Sequence, residues 1–392
     1  MLLKNRLQPV FERLRRQGLP LRLRLWDGAE VNLSPAPKVT IAIPAAASLR
    51  HLANPSLDNL GRAYVEGAID VEGRLTDVIE VAAGLAAGNA RPRKGLAFFK
   101  RPARHDRQLD AEAIAYHYDL SNEFYRQWLD RGMVYSCAYF RDEADTLEQA
   151  QEQKIDHILR KLNVRPGNRL LDIGCGWGAL IIRAAEKFGA QALGITLSRN
   201  QCELARERIA ALGLKGRCEV RIEDYRDVTG HFDCIASVGM FEHVGFKNLR
   251  AYFGRIRELL TDDGIALNHG ITATDAEGGG GDFIRRYVFP HSELPPIGLT
   301  LREMLAAGLE PVDVENLRRH YALTLGHWAE RFEAAGERLK ELVGEKRWRI
   351  WRVYLAGCAH GFAQNWVAVH QVLAVKTGAA PLPLTRDYIY HI

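Results

Sequence analysis

A carboxylate and an imidazole, Glu242 and His243, stand at the end of the apolar run that closes with Phe241, and Gly245 follows them. A buried strand that ends in ionisable groups is either capping the next helix or presenting a reactive corner. The second reading needs partner chemistry elsewhere in the chain. The stretch LLDIGCGWG, residues 170–178, offers it: an apolar strand carrying Asp172 runs into Gly174, Gly176 and Gly178. Glycine is required where the backbone turns sharply and lets a ligand come close.

A bare G-x-G-x-G is shared with dinucleotide sites. Two details favour S-adenosylmethionine. Asp172 precedes the glycines by two residues, where an acid faces a cationic amino acid moiety, and the tight spacing leaves no pyrophosphate cradle. The second strand ends in TLSRNQ, residues 196–201, without an acid for ribose hydroxyls, so Ser198, Asn200 or Gln201 must serve. The third ends in IEDYRD, residues 222–227, where Asp224 and Tyr225 offer adenine a hydrogen bond and a ring face.

These groups need a scaffold that brings strand ends together. From about residue 165 the pattern alternates: strands at RLLDIG, AQALGITLS, CEVRIED, FDCIASVGMF and GIALNHGIT, with helices at ALIIRAAEKFG, RNQCELARERIAALG and NLRAYFGRIRELL. Such alternation predicts a Rossmann-like, mostly parallel sheet flanked by helices, with ligands at the carboxyl ends of its strands. The fold class expected is α/β, a class I S-adenosylmethionine-dependent methyltransferase, with a smaller N-terminal α+β domain. In that domain LRLRLWDGAEVNLS reads as a strand pair around Asp27-Gly28, VTIAIPAA as another strand, and residues 57–88 as two helices with Gly73 between them. The boundaries predicted are 1–105, including a basic linker, and 106–392.

The chain of 392 residues has the apolar and charged fractions of a globular protein. No window approaches the ~18 unbroken apolar residues of a membrane span. The N-terminal stretch alternates Arg with Leu and lacks the apolar centre of a signal peptide. A cytoplasmic location is expected, with peripheral contact to a membrane. Six cysteines without C-x-x-C spacing or a histidine cluster argue against zinc and disulfides. The segment RPRKGLAFFKRPARH, residues 91–105, holds six Lys or Arg and no acid around Phe98 and Phe99. It suits a solvated linker, an anionic lipid surface or nucleic acid, and charge alone does not separate these.

The chain resembles the cyclopropane-fatty-acyl-phospholipid synthases and the related mycolic acid cyclopropane synthases and methyltransferases. The resemblance runs through YHYDLSNEFYRQWLD, VYSCAYF, TLEQAQEQKID, LLDIGCGWG, TLSRNQ, EDYRD, SVGMFEHVG, RHYALTLGHWAERF and YLAGCAHGF, nearly all of residues 115–375. LGRAYVEGAIDVEGRLTDVI is also similar to the N-terminal domain of the phospholipid-acting enzymes, which the mycolic enzymes lack. The resemblance implies methyl transfer from S-adenosylmethionine, the co-substrate, to a cis double bond of an unsaturated phospholipid at the membrane surface, and ring closure by loss of a proton to bound bicarbonate. It implies that Glu242, His269 and the Tyr321 hydroxyl hold the bicarbonate with the backbone at Cys137 and Ile271. Tyr135 and Ser136 match the pair near the sulfonium. Asp172, Gly174, Gly176, Gly178, Thr196, Leu197, Ser198, Gln201, Asp224, Tyr225 and Arg226 match cofactor-binding segments. Cys358 matches a cysteine treated as an active-site residue, yet a thiolate beside a sulfonium would itself be methylated, so a packed thiol is expected. His243 reads as structural. A homodimer is a further implication of the resemblance. A nucleic-acid substrate is not expected: there is no [N/D]-P-P-[Y/F/W] motif and no Pro-Cys nucleophile.

If the basic segment meets lipid, reversing the charge at Arg91, Arg93, Lys94, Lys100 and Arg101 weakens co-sedimentation with anionic vesicles. Unchanged sedimentation would assign the segment to a plain linker.

Overall fold

A computed structural model describes residues 2–87, 120–274, 282–289 and 293–390, with side chains described from residue 8 onward. The basic segment 91–105 and the glycine run at 278–281 lie outside the described residues. The chain divides into two compact units. The described part of the first comprises residues 2–87, 282–288 and 332–360, so it takes in two segments from far beyond the linear boundary near 105.

In the first unit, β1 (Leu21–Arg24) and β2 (Glu30–Asn32) form the hairpin expected around Asp27-Gly28. β3 (Val39–Ala42) joins β1 in parallel and β4 (Asp70–Glu72) pairs antiparallel with β3, giving the order β2-β1-β3-β4. The two helices expected after residue 57 are Leu57–Val65 and Leu75–Ala87. The segment between them is not a bare turn at Gly73, because Asp70–Glu72 adds a strand to the sheet edge. Alternation along β1 and β3 buries Leu21, Leu23, Val39 and Ile41 in a core shared with Phe11, Leu60 and Leu85.

The second unit holds a seven-stranded sheet in the order β10-β11-β9-β8-β5-β6-β7. Its strands are β5 (Arg169–Ile173), β6 (Gln191–Thr196), β7 (Cys218–Ile222), β8 (Phe232–Val238), β9 (Leu260–Ala273), β10 (Leu309–Asn316) and β11 (Val367–Lys376). β5 to β9 pair in parallel; β11 pairs antiparallel with β9, and β10 antiparallel with β11. Adjacent residues of one strand serve opposite cores, Leu170 packing with Ile158 and Ile181, and Leu171 with Phe253 and Ile256. Burial on both faces is what near-continuous apolar strands require. The chain steps from β5 outward to β6 and β7, then returns to the other side of β5 as β8. That reversal opens a crevice at the carboxyl end of β5.

Where β8 and β9 meet, the backbone is held close. Gly239 N–H donates to the His269 carbonyl at 2.8 Å. A Cβ on Gly270 would sit 2.0 Å from the Phe241 ring and 3.2 Å from Glu242 Oε1. Gly270 therefore lets Phe241 fill the corner and sets the height of Glu242. Gly270→Ala is expected to lower stability by about 1–3 kcal/mol, the usual cost of overpacking, and to reduce activity as Glu242 is displaced. Thermal unfolding and turnover of the same preparation check both.

Candidate active site

The crevice at β5 is a cavity lined by residues from the ends of β5, β6 and β7 and the loop at 133–136, whereas Glu242, His269, Ile271 and Tyr321 do not border it. Tyr135, Ser136, Asp172, Gly174, Gly176, Thr196, Leu197, Gln201, Asp224, Tyr225 and Arg226 all border it. Gly174, Gly176 and Gly178 have φ of 81°, 54° and 84°, the left-handed region that a side chain disfavours. Gly178 and Ser198 do not line the cavity. Gly178 instead starts the helix Ala179–Lys187, and Ser198 caps the helix Arg199–Ala211 by accepting from the Gln201 N–H. Lys154, Trp177, Glu223 and His243 also line it. His243, read from sequence as structural, is thus a wall of the cavity. Glu223, the residue before Asp224, brings to the cavity wall a carboxylate of the kind TLSRNQ lacks.

The electrostatics fit a cationic ligand. Asp172 is buried, its Oδ1 has no hydrogen-bond partner among the described residues, and burial pushes its carboxyl up to about 7. An ammonium at this atom would restore the charged form. Lys154 lies in the same wall, donates to Ser136 Oγ at 2.8 Å, and is pushed down by burial to about 8. Gln151 donates to the carbonyls of Val134 and Ser136 at 3.3 and 2.9 Å. Both side chains project from the helix Leu147–Lys161 and fix the Tyr135–Ser136 pair from behind. Asp224 grips Arg226 through two short contacts of 2.8 and 2.6 Å and accepts its own-loop N–H, which holds the Tyr225 ring edge-on to Tyr252.

A second set of residues lies at the β8–β9 corner. Glu242 follows β8 in a short 3-10 turn, and His269 on β9 is the register partner of Val238. Glu242 Oε1 accepts from the Ile271 N–H at 2.7 Å. The sequence reading gave that backbone group to a bound anion; here it holds the carboxylate instead. Glu242 Oε2 and His269 Nε2 are both buried with no partner among the described residues. Burial pushes Glu242 up to about 7 and, aided by the nearby ammoniums of Lys154 and Lys161, pushes His269 down to about 3. Two buried polar atoms left open where β8 and β9 meet, one on a carboxyl and one on an imidazole, fit a small ligand that both gives and takes hydrogen bonds, as bicarbonate does. Tyr321 lies one turn past Leu317, whose N–H donates to Val369, the β11 partner of Ile271. Its ring belongs to an aromatic file, Phe362–Tyr321–Trp328–Tyr135, with centroids 4.6, 6.0 and 5.3 Å apart. The file runs from Tyr321 to the cofactor cavity at Tyr135.

The cysteines behave as packing groups. Cys137 is fully enclosed, its thiol donates to the Ala138 carbonyl at 3.2 Å, and burial raises its pKa. Cys358 belongs to the first unit, where burial of the thiol pushes it up to about 12, so no thiolate is available at neutral pH.

A mostly parallel sheet with a left-handed glycine loop and an acid at the carboxyl end of β5 defines a class I S-adenosylmethionine-dependent methyltransferase. Residues 105–372 match the family described as mycolic acid cyclopropane synthetase, and residues 7–91 match a domain of unknown function, DUF7884. A probable fatty acid methyltransferase of Pseudomonas putida is 47% identical over 95% of this chain and 96% of its own. The cyclopropane-fatty-acyl-phospholipid synthase of Escherichia coli is 38% identical over 66% of each. The crystal structure of a mycolic acid cyclopropane synthase complexed with SAH and CTAB covers 68% of this chain and 98% of that one, at 35% identity and a TM-score of 0.65. The chain belongs to the mycolic acid cyclopropane synthetase family and uses S-adenosylmethionine as co-substrate.

Asp172 and Glu242 bind their protons more tightly folded than unfolded, with carboxyls moved from the ordinary 3.8 and 4.5 to about 7. Stability of the ligand-free protein is therefore greatest in acid with respect to these groups. It falls as pH rises from about 4 through 7 and levels off above. Glu242→Gln is expected to match the parent near pH 4 and to exceed it by about 1–3 kcal/mol at pH 8. Denaturant titrations at the two pH values check the sign.

Proposed function

We propose that the chain transfers the methyl carbon of S-adenosylmethionine to the cis double bond of an unsaturated acyl chain in a membrane phospholipid, forming a cyclopropane ring. The carrying observation is the pair of buried atoms without a partner among the described residues, Glu242 Oε2 and His269 Nε2, where β8 and β9 meet. The alkene π pair forms a bond to the methyl carbon. The carbon–sulfur bond breaks with its electrons going to sulfur, and a carbocation remains on the acyl chain. Loss of a proton from the new methyl lets that C–H pair close the third side of the ring.

The alkene is a weak nucleophile, so the protein's contribution is alignment and a dry setting. Asp172 orients the amino acid end of the co-substrate. Lys154 and Gln151 hold Ser136 and Tyr135 in place beside the methyl. The aromatic file presents ring faces to the developing cation without offering it a nucleophile. Bicarbonate, held between Glu242 and His269, supplies the base when bound. His269, kept neutral by burial, would donate to it through Nε2–H, and Glu242 would accept from its hydroxyl. Tyr321 adds a phenol near the same corner. The basic segment 91–105 and the N-terminal unit supply the contact with the lipid surface on the cytoplasmic side.

A second reading has an observation of its own: the Pseudomonas putida relative that matches nearly the whole chain is described as a probable fatty acid methyltransferase. In that reading the same cation is quenched differently and a methyl-branched or methylene-bearing chain results. Purified protein, vesicles of unsaturated phospholipid and S-adenosylmethionine with a trideuterated methyl separate the two. Mass spectra showing two deuteriums in a cyclopropyl chain establish ring closure. Three in a branched chain establish the second reading. No transfer, with the Glu242→Gln protein as the blank, refutes phospholipid as substrate.

A further inference from the structure

The sheet register places a row of polar residues side by side in an otherwise apolar interior. Glu315 on β10 is the partner of Gln371 on β11, and Gln371 is the partner of His269 on β9. Leu267 and Leu373, two residues along from His269 and Gln371, pack in the core that contains Ile155, Ile158 and Leu159. Alternation puts His269 and Gln371 on that same face, beneath the helix Leu147–Lys161. Gln371 is 0% exposed and His269 2%. The Gln371 amide nitrogen lies 3.2 Å from His269 Nδ1.

We propose that Gln371 is a positioning residue for the β8–β9 corner, fixing the His269 tautomer so that Nε2 carries the ring proton. An amide NH2 only donates, so the Nδ1 facing it must accept, and the neutral ring has its proton on Nε2. That N–H has no partner among the described residues, and neither does Glu242 Oε2 on the strand end next to it. If the amide were reversed, Nδ1 would hold the proton. The groups around the ring are the ammoniums of Lys154 and Lys161, the carboxylate of Glu315 and the imidazole of His157. Glu315 is itself ionised, held down to about 2 by His157 and Lys161 against its own burial. Gln371 thus stands as an uncharged spacer between an ionised carboxylate and a neutral imidazole. A shape-matched carboxylate in its place would accept from Nδ1–H and pull the ring into the other tautomer.

The assignment takes its functional meaning from the reading of Glu242 and His269 given above, but the tautomer is measurable without it. The full-length chain labelled with 15N-histidine is examined by 1H–15N ring correlation in bicarbonate-free buffer, with the signal assigned by its loss in His269→Asn. The proton is expected on Nε2 in the parent, on Nδ1 in Gln371→Glu, and divided between the two in Gln371→Leu. Both variants are expected to lose tenfold or more in kcat while the KM for S-adenosylmethionine stays within twofold, because Gln371 does not border the cofactor cavity. A parent ring protonated on Nδ1 overturns the proposal, as does a Gln371→Glu ring still protonated on Nε2. If Gln371→Glu does not fold, the parent spectrum and Gln371→Leu decide. A chain that shows the expected tautomers yet leaves acyl chains untouched overturns the proposed reaction and leaves the positioning role standing.

Discussion

Four polar side chains on one face of the helix Leu147–Lys161 are almost wholly buried: Gln151, Lys154, His157 and Lys161. Burying charge is costly unless every head group finds a partner. Between them the four reach two separate pieces of the second unit. Gln151 and Lys154 take the loop at residues 134–136, and His157 takes Glu315 at 2.7 Å. Lys161 binds Asp313 and Glu315 at 2.9 and 2.7 Å. One helix thereby ties the loop carrying Tyr135 and Ser136 to the far edge of the sheet. A capping box at Thr146 and Gln149 fixes where the helix begins, and so the phase of that stripe.

The same constraint shapes the chemistry. The ammoniums that anchor the helix also lie near His269 and hold its ring neutral, while Asp172 and Glu242 are left with one oxygen each unanswered. In the proposed reaction the carbocation would be trapped by water or by a thiolate. Burial keeps Cys137 a thiol, and the aromatic file reaches the cofactor cavity at Tyr135. The unanswered oxygens are destabilising in isolation, and ligands of opposite character relieve them.

The cofactor cavity was legible because its residues are local to strand ends: Asp172 and the glycines after β5, Gln201 after β6, Asp224 and Tyr225 after β7. Each is announced by an apolar run that stops. Lys154 and Gln371 were not legible, for a physical reason. Lys154 sits in a helix whose sequence, LEQAQEQKIDHILRK, reads as an ordinary solvated face, and only the loop at 134–136 and the β10 carboxylates show that this face is inside. Gln371 matters through the register of β11 against β9, a pairing across about a hundred residues that no local pattern encodes. The strand at Asp70–Glu72 escaped notice because three residues between two helices carry no periodicity of their own.

The first unit has its own non-local tie. Arg352 is buried there with two contacts to Glu333, at 2.8 and 3.0 Å, and donates to the Tyr64 hydroxyl at 2.9 Å. The N-terminal sheet and its helices are therefore finished by residues encoded near the other end of the chain. On a ribosome adding roughly 5–20 residues per second, those partners emerge some tens of seconds after the sheet itself. Until then Tyr64 and the apolar wall around it have nothing to close against. The sheet is synthesised well before the segment that completes its packing, so folding of this unit waits on residues 332–360.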